Sequence, residues 1–245
     1  MVVVSHKHGF VFVKCIRVAS SSMEEFFWRF RGKEDVFTPY PPRWDKRQND
    51  RGYFNFLKDL PYVFKLFEEF PKYGVYSVGY RVGWITRVFR HFKRSEAYYD
   101  HMPAWMVRNR IGKKTYDEYF VFCFERNPWD KVVSRYLFYK KFDKTFNLSF
   151  REFVKSDWVY DALNFPLYID PLSGKIMVDF IGYYENLEED FAKAMRKIGL
   201  PEKLDVNINT SKETEIGYRK FYDRELRIRV GEVYRYEIEL HGYDF

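Results

Sequence analysis

Cysteine, histidine and long apolar runs are all scarce in this 245-residue chain, and each shortage removes a class of function. The two cysteines, Cys15 and Cys123, stand inside apolar runs that read as strands, so buried thiols in a reduced compartment are expected, not a disulfide framework. The five histidines and two cysteines show no metal-ligand spacing, and no metal is expected. No apolar stretch reaches the length of a membrane span. The opening "MVVVSHKHGFVFVK" is too short and too interrupted for a signal peptide, so the expectation is a soluble, cytoplasmic chain without a membrane segment. The formal charge of +7 favours anionic partners such as nucleotides, nucleic acid or an acidic polymer. The basic residues are spread along the chain and form no block, which argues against a dedicated nucleic-acid clamp. Also missing is the phosphate-loop signature of glycine, four residues, glycine, lysine and serine or threonine, which weakens an ATPase or kinase reading.

What is present suits one well-buried domain. Residues are 46% hydrophobic, and the aromatic share of 22% exceeds what a plain core requires. Most of that excess reads as core and groove wall, with stacking on a sugar or a base as the functional alternative. Strand-like runs occur at "GFVFVKC" (9–15), "GVYSVGY" (74–80), "YFVFCF" (119–124) and "KIMVDFIGYY" (175–184). Between them lie helical patterns, clearest in "NLEEDFAKAMRKIGLP", with acids in its first turn, bases in its last and Gly199 then Pro201 to end it. Residues 218–240 read as one long helix. Strands alternating with helices predict a three-layer α/β fold, a mainly parallel central sheet flanked by helices, as a single domain over 1–245. Two irregular stretches, 33–60 with its three prolines and 143–175, read as loop excursions on the acceptor side.

In an open parallel sheet, ligands sit at the carboxyl ends of the strands. The strand at 9–15 ends there, and "IRVASSSME" then turns into a helix start. Unpaired amides, the positive dipole end, Arg17 and the serine hydroxyls together suit a phosphate. The same serines also fit a helix cap, Ser21 with Glu24 or Ser22 with Glu25, and both readings stand at this point.

A second bend repeats the logic. In "YFVFCFERNPWDKVVSRY" a strand ends at Arg126, Asn127 can cap, Pro128 suits the first helical position and Asp130 the first turn. Ser134 lies about 9 Å up that helix, within reach of a long arginine, so Arg126 and Ser134 could grip one phosphate from two sides. The alternative pairs Arg126 with a local carboxylate and leaves Ser134 merely on a helix surface.

The two bends resemble the cofactor motifs of sulfotransferases that use 3′-phosphoadenosine 5′-phosphosulfate (PAPS). "FVKCIRVASSSME" is similar to their 5′-phosphosulfate loop and "RNPWDKVVS" to their 3′-phosphate motif. "DHMPAW", "IGYYENLEEDF" and the C-terminal "YRKFYDRELRIRVGEVYRYEIELHGYDF" resemble carbohydrate-type members, so the likeness spans nearly the whole chain. It implies a P-loop NTPase-like three-layer fold without ATP chemistry, PAPS as co-substrate and a hydroxyl of a carbohydrate or similar acceptor as target. Arg17, Ser20, Ser21 and Ser22 would hold the 5′-phosphosulfate, and Arg126 and Ser134 the 3′-phosphate. Lys212 and Arg219 would belong to a basic loop closing over the nucleotide. One departure matters: Arg17 stands where the family has lysine, and Ser20 where it has glycine. Arginine does not release a proton readily, so either Arg17 acts electrostatically or nearby Lys14 contributes. The loss of glycine is harmless provided Ser20 needs no positive φ.

His101, in "YYDHMPAW", is the candidate general base, with Asp100 to orient it and Glu24 or Asp100 as fallbacks. His6, His8, His91 and His241 lack comparable neighbours and read as surface residues. Trp129 or Tyr183 could stack on adenine. Arg43, Trp44, Lys46 and Arg47 are the candidates for lining the acceptor groove, where positive charge would suit an acidic or already sulfated sugar. Two readings compete with a sulfotransferase: a catalytically idle nucleotide- or polyanion-binding protein on the same fold, and, less well supported, a kinase.

Overall fold

A computed structural model describes residues 2–37, 56–93, 98–206 and 217–245. Its centre is a five-stranded sheet in the order β3-β1-β2-β4-β5. The strands are β1 (Val2–Ser5), β2 (Phe10–Val13), β3 (Val36–Phe37), β4 (Phe120–Glu125) and β5 (Phe180–Tyr183). β2, β4 and β5 run parallel, but β1 is antiparallel to both β2 and β3. The sheet is therefore mixed, which corrects the expected mainly parallel one. The reason is local. Only residues 6–9 separate β1 from β2, with Gly9 at φ 63, and so short a link can join only antiparallel neighbours.

The flanking helices are α1 (Ser20–Phe30), α2 (Leu60–Glu69), α3 (Val78–Lys93), α4 (Ala104–Ile111), α5 (Lys113–Glu118) and α6 (Pro128–Phe142). They continue with α7 (Phe150–Lys155), α8 (Phe165–Tyr168), α9 (Leu187–Ile198), α10 (Arg224–Val233) and α11 (Arg235–His241). α1 and α9 cover one face of the sheet through a cluster of rings. Phe27 packs 5.1 Å from Phe10 and 5.4 Å from Phe12, and Phe191 lies 5.0 Å from Phe26. On the other side Cys15 and Cys123 are buried free thiols that lie close to each other and to Tyr168 of α8. Much of the aromatic excess is thus core, as composition suggests.

Three further expectations change. The run 74–80 is not a strand: Gly74, at φ 85, ends a 3-10 turn at Phe70–Tyr73, and Ser77 then accepts from the Tyr80 amide to start α3. The long C-terminal helix is broken at Tyr234, and its first residues form a separate 3-10 turn, Tyr218–Phe221, before Asp223 caps α10. The stretch 143–175 is not a bare loop: Ser149 and Glu152 build a capping box for α7, followed by a 3-10 segment at Asp157–Ala162 and by α8. Of the 33–60 excursion, the described part includes β3. Arg43, Trp44, Lys46, Arg47 and Lys212 lie outside the described residues. Among the described residues no helix is long and apolar enough to cross a membrane, and no group of His, Cys, Asp or Glu is arranged to hold a metal ion.

Candidate active site

Phe10, Val11 and Phe12 of β2 pair with Phe120, Val121 and Phe122 of β4 in parallel. Both strands therefore finish at the same edge, and the bends that follow them lie side by side. Arg126 donates from Nη1 to the carbonyl of Arg17 at 3.2 Å, and Arg17 donates from Nε to the Ser134 hydroxyl at 2.9 Å. Arg17, Arg126 and Ser134 are brought together in one place. Ser134 serves Arg17, while Arg126 holds the local carboxylate of Asp130 at 2.8 Å, as the alternative reading allows, and packs its guanidinium 3.9 Å from the centre of the Tyr184 ring.

The first bend is shaped by two non-glycine residues in the left-handed region, Arg17 at φ 61 and Ala19 at φ 59. Such backbone costs about 1–3 kcal/mol per residue and persists only where its surroundings enforce it. A left-handed residue followed by right-handed helix also turns successive amides toward one side, a concavity suited to an anion. Ser20 already belongs to α1 and needs no positive φ, so its lack of glycine character carries no penalty. The Ser20 hydroxyl donates to the Cys15 carbonyl at 2.9 Å, which fixes the turn from inside. Ser21 is half-buried and Ser22 buried on the first turn of α1, and the cap position is Ala19, not the serine that either expected capping box would place there.

What enforces the strain lies far away in the chain. Asn164 accepts from the Ile16 amide at 2.7 Å and donates to the Ile16 carbonyl at 3.2 Å, gripping both polar groups of the residue before Arg17. Asn164 also donates to Glu125, the last residue of β4. Glu125 pairs with Lys131 of α6 at 2.9 Å, and Lys131 pairs with Glu237 of α11 at 2.6 Å. Glu237 in turn accepts from the amides of Asn164 and Phe165. All four side chains are buried. Burial pushes Glu125 up to about 8, against the pull of the Lys131 ammonium and with the Glu237 carboxylate adding to the rise. Sequence reasoning missed this network. Its only local trace is that Glu125 and Lys131 flank the Arg126 bend, and nothing in "ALNFPLY" points Asn164 at residue 16.

His101 sits at φ 54 before α4, with 29% of its side chain exposed. Its Nδ1 is 2.9 Å from the Lys14 carbonyl, which accepts and so assigns the ring proton to Nδ1. The expected orienting partner, Asp100, is 3.4 Å from Nε2, so the backbone of Lys14 orients the ring more closely than the carboxylate does. Burial, reinforced by the Lys14 ammonium, holds the imidazole well below its usual range. It is therefore neutral at physiological pH, the state a general base needs. Lys14 is buried between Glu24 at 3.3 Å and Asp100 at 3.6 Å, which makes Glu24 its counter-ion.

The remaining candidates fall elsewhere. Arg219 lies on the 3-10 turn at Tyr218–Phe221, donates to the carbonyl of Phe245 at 3.0 Å and packs over the rings of Tyr218 and Phe245. Trp129 is buried, donates to the Arg227 carbonyl and meets the Phe245 ring edge-on; Tyr183 faces His241. Neither ring reaches Arg126, where Tyr184 stands instead. His241 is no plain surface residue: it is half-buried between the hydroxyls of Tyr168 and Tyr183, and burial lowers it to about 4.

Among solved structures, a sulfotransferase from Alicyclobacillus acidocaldarius covers 97% of this chain and is covered over 96% of its own, at 17% identity and a TM-score of 0.44. Two uncharacterized proteins of Archaeoglobus fulgidus are similar in sequence. One is 74% identical over 120 residues, 49% of this chain and 98% of that protein. The other is 62% identical over 26 residues, 11% of this chain and 84% of that protein. The profile of the sulfotransferase family matches residues 1–244, end to end through both bends, and the chain belongs to that family.

Proposed function

We propose that the chain moves the sulfuryl group of PAPS to a hydroxyl of a carbohydrate or similar acceptor. The observation that carries this reading is the Arg126–Arg17–Ser134 chain of contacts, which joins two anion-suited bends at one sheet edge in a member of the sulfotransferase family. The residues fit the donor: one strained, amide-lined turn with a guanidinium for the 5′ end, and a second guanidinium with a hydroxyl beside it for the 3′-phosphate. Arg126 would exchange part of its hold on Asp130 for that phosphate, a forked partner of higher charge.

PAPS supplies an activated sulfuryl group on a good leaving phosphate, so the protein's share is positioning and charge neutralisation. Arg17 would offset charge on the oxygen that bridges sulfur and phosphorus without giving up a proton. His101 Nε2 would take the proton of the acceptor hydroxyl as its oxygen bonds to sulfur. The sulfur–oxygen bond to phosphate breaks, its electron pair leaves with the phosphate, and 3′-phosphoadenosine 5′-phosphate (PAP) departs. Ser20, Ser21 and Ser22 would line the 5′ side, and Arg219, with Lys212, would approach from the C-terminal side.

Calorimetric titration with PAP, adenosine 5′-phosphate and ATP tests the donor. Binding that requires the 3′-phosphate is expected, and a preference for ATP would end the proposal. Transfer of labelled sulfate from PAPS to a panel of glycans then separates an enzyme from an idle nucleotide-binding protein.

A further inference from the structure

A cavity of about 210 Å³ opens between α3 and the 3-10 segment Asp157–Ala162. Its walls are mainly aromatic. Trp84 is buried and held edge-on by Phe70 at 5.5 Å, so one wall is rigid. Trp158, on the 3-10 segment, is 40% exposed and fixed edge-on against Tyr139 at 4.9 Å, and Tyr80 of α3 also lines the cavity. The polar lining is Arg87, Asp157 and Asp161.

The cavity is wired to the proposed transfer site. Asp161 binds Arg87 at 3.2 Å on the cavity side, and Arg135 and the Tyr139 hydroxyl on the other. The guanidinium of Arg135 then packs 5.4 Å from the centre of the Phe138 ring, and that of Arg17 packs 5.0 Å from the same centre. A molecule in the cavity is thus linked to Arg17 through three side chains, Asp161, Arg135 and Phe138. α3 contributes to it together with part of the 143–175 stretch, and only the latter reads from sequence as acceptor-side.

We propose that this cavity is the acceptor subsite and that it takes a neutral, hydroxylated ring, a hexose-type unit, and not an acidic sugar. The proposal rests on the sulfotransferase reading above for the word acceptor, but not for the ligand's chemistry. The charges decide against an anion. Asp157 and Asp161 offset Arg87 and Arg135, and Arg87 is already committed in part to Asp161. A carboxylate or sulfate entering here would meet the Asp157 carboxylate, while Arg87, the one cation among the described lining residues, is already paired with Asp161, and like charges in a partly desolvated site repel. Hydroxyls fit both partners, accepting from Arg87 and donating to Asp157, while the apolar face of a ring lies on the indoles. The volume is below the roughly 300–1,000 Å³ typical of drug-sized ligands, which suits a single ring.

Gly83 supplies a clean plug. It lies on α3 at the cavity wall, and a Cβ built there meets nothing within 4 Å. The test measures saturation-transfer NMR and tryptophan fluorescence with methyl glucopyranoside and the matching methyl glucuronide, on wild type and on Gly83→Leu. Saturable binding of the glucoside, weaker binding of the glucuronide, and loss of at least tenfold in affinity in Gly83→Leu are expected. The PAP dissociation constant should stay within twofold. If Gly83→Leu fails to fold, the exposed Asp157→Asn replaces it, with the same direction expected. Preference for the glucuronide, absence of glucoside binding, or binding indifferent to both substitutions would overturn the proposal. Glucoside binding in a protein that ignores PAP would instead sink the donor reading and leave the sugar site standing.

Discussion

Arg17 and Ser134 are 117 positions apart in the chain and 2.9 Å apart in space, guanidinium nitrogen to hydroxyl oxygen. That one hydrogen bond ties the bend after β2 to the helix after β4. It brings the two bends together at one edge of the sheet, where the proposed function places the donor.

Arg126→Ala should weaken PAP binding by about 1.5–3 kcal/mol, the worth of hydrogen bonds to a charged group. It should also erase the preference for PAP over adenosine 5′-phosphate, because the lost contacts are assigned to the 3′-phosphate. Calorimetry on both nucleotides checks this, and an unchanged PAP constant would remove Arg126 from the site.

Arg17→Ala should lower turnover by roughly 10²–10³, the usual cost of removing one preorganised charge stabiliser. Arg17→Lys should retain more activity than Arg17→Ala, since it restores the charge at the same backbone position. A single-turnover sulfate-transfer assay reads both, and wild-type turnover in the alanine variant would refute the role given to Arg17.

His101→Ala should cost about 10²–10⁴ in turnover if the ring is the base. The pH profile is the sharper measurement. A histidine held below 6.5 stays neutral as pH falls past that value, so the acid limb of kcat/KM should appear clearly lower than an ordinary histidine would place it. The same shift makes a stability statement with a definite sign. Between the lowered folded value and 6.5 the unfolded chain binds more protons, so stability is full above 6.5 and declines as pH falls through that window. An acid limb at or above 6.5 would exclude His101 as the base.

Asn164→Ala should destabilise the fold by about 3 kcal/mol or more, since it strips partners from the Ile16 amide, the Ile16 carbonyl and the Glu125 carboxylate, each buried. It should weaken PAP binding as well, because the strained turn at Arg17 loses its clamp. Denaturant unfolding together with calorimetry measures both. A destabilised variant with wild-type nucleotide affinity would show that Asn164 supports the fold without positioning the loop.

The bends themselves were legible in the chain because their determinants are local. A β-rich run, an arginine, small polar residues and a helix start follow one another within a dozen positions, as do "FCFERNPWD" and the cap supplied by Asn127. The strand at 74–80 misled for an equally local reason: valine and tyrosine favour sheets by composition, but Gly74 and Ser77 set the backbone for a turn and a helix start. The acceptor side was legible only as a region. Trp84 of α3 and the Trp158 and Asp161 pair of the 3-10 segment come from two segments whose meeting no spacing encodes.

Two strand-to-helix turns, an aromatic core and a pair of buried thiols follow from the order of residues alone, since capping, strand propensity and burial act over a few positions. Which charges pair is a different matter. That Ser134 serves Arg17, that Asn164 clamps Ile16, and that Lys131 meets Glu237 depend on contacts from 106 to 148 positions apart. Only the parallel register of β2 beside β4 and the packing of α6 and α11 around it bring those groups within hydrogen-bonding distance, because electrostatic and hydrogen-bond energies depend on separation in space and not along the chain.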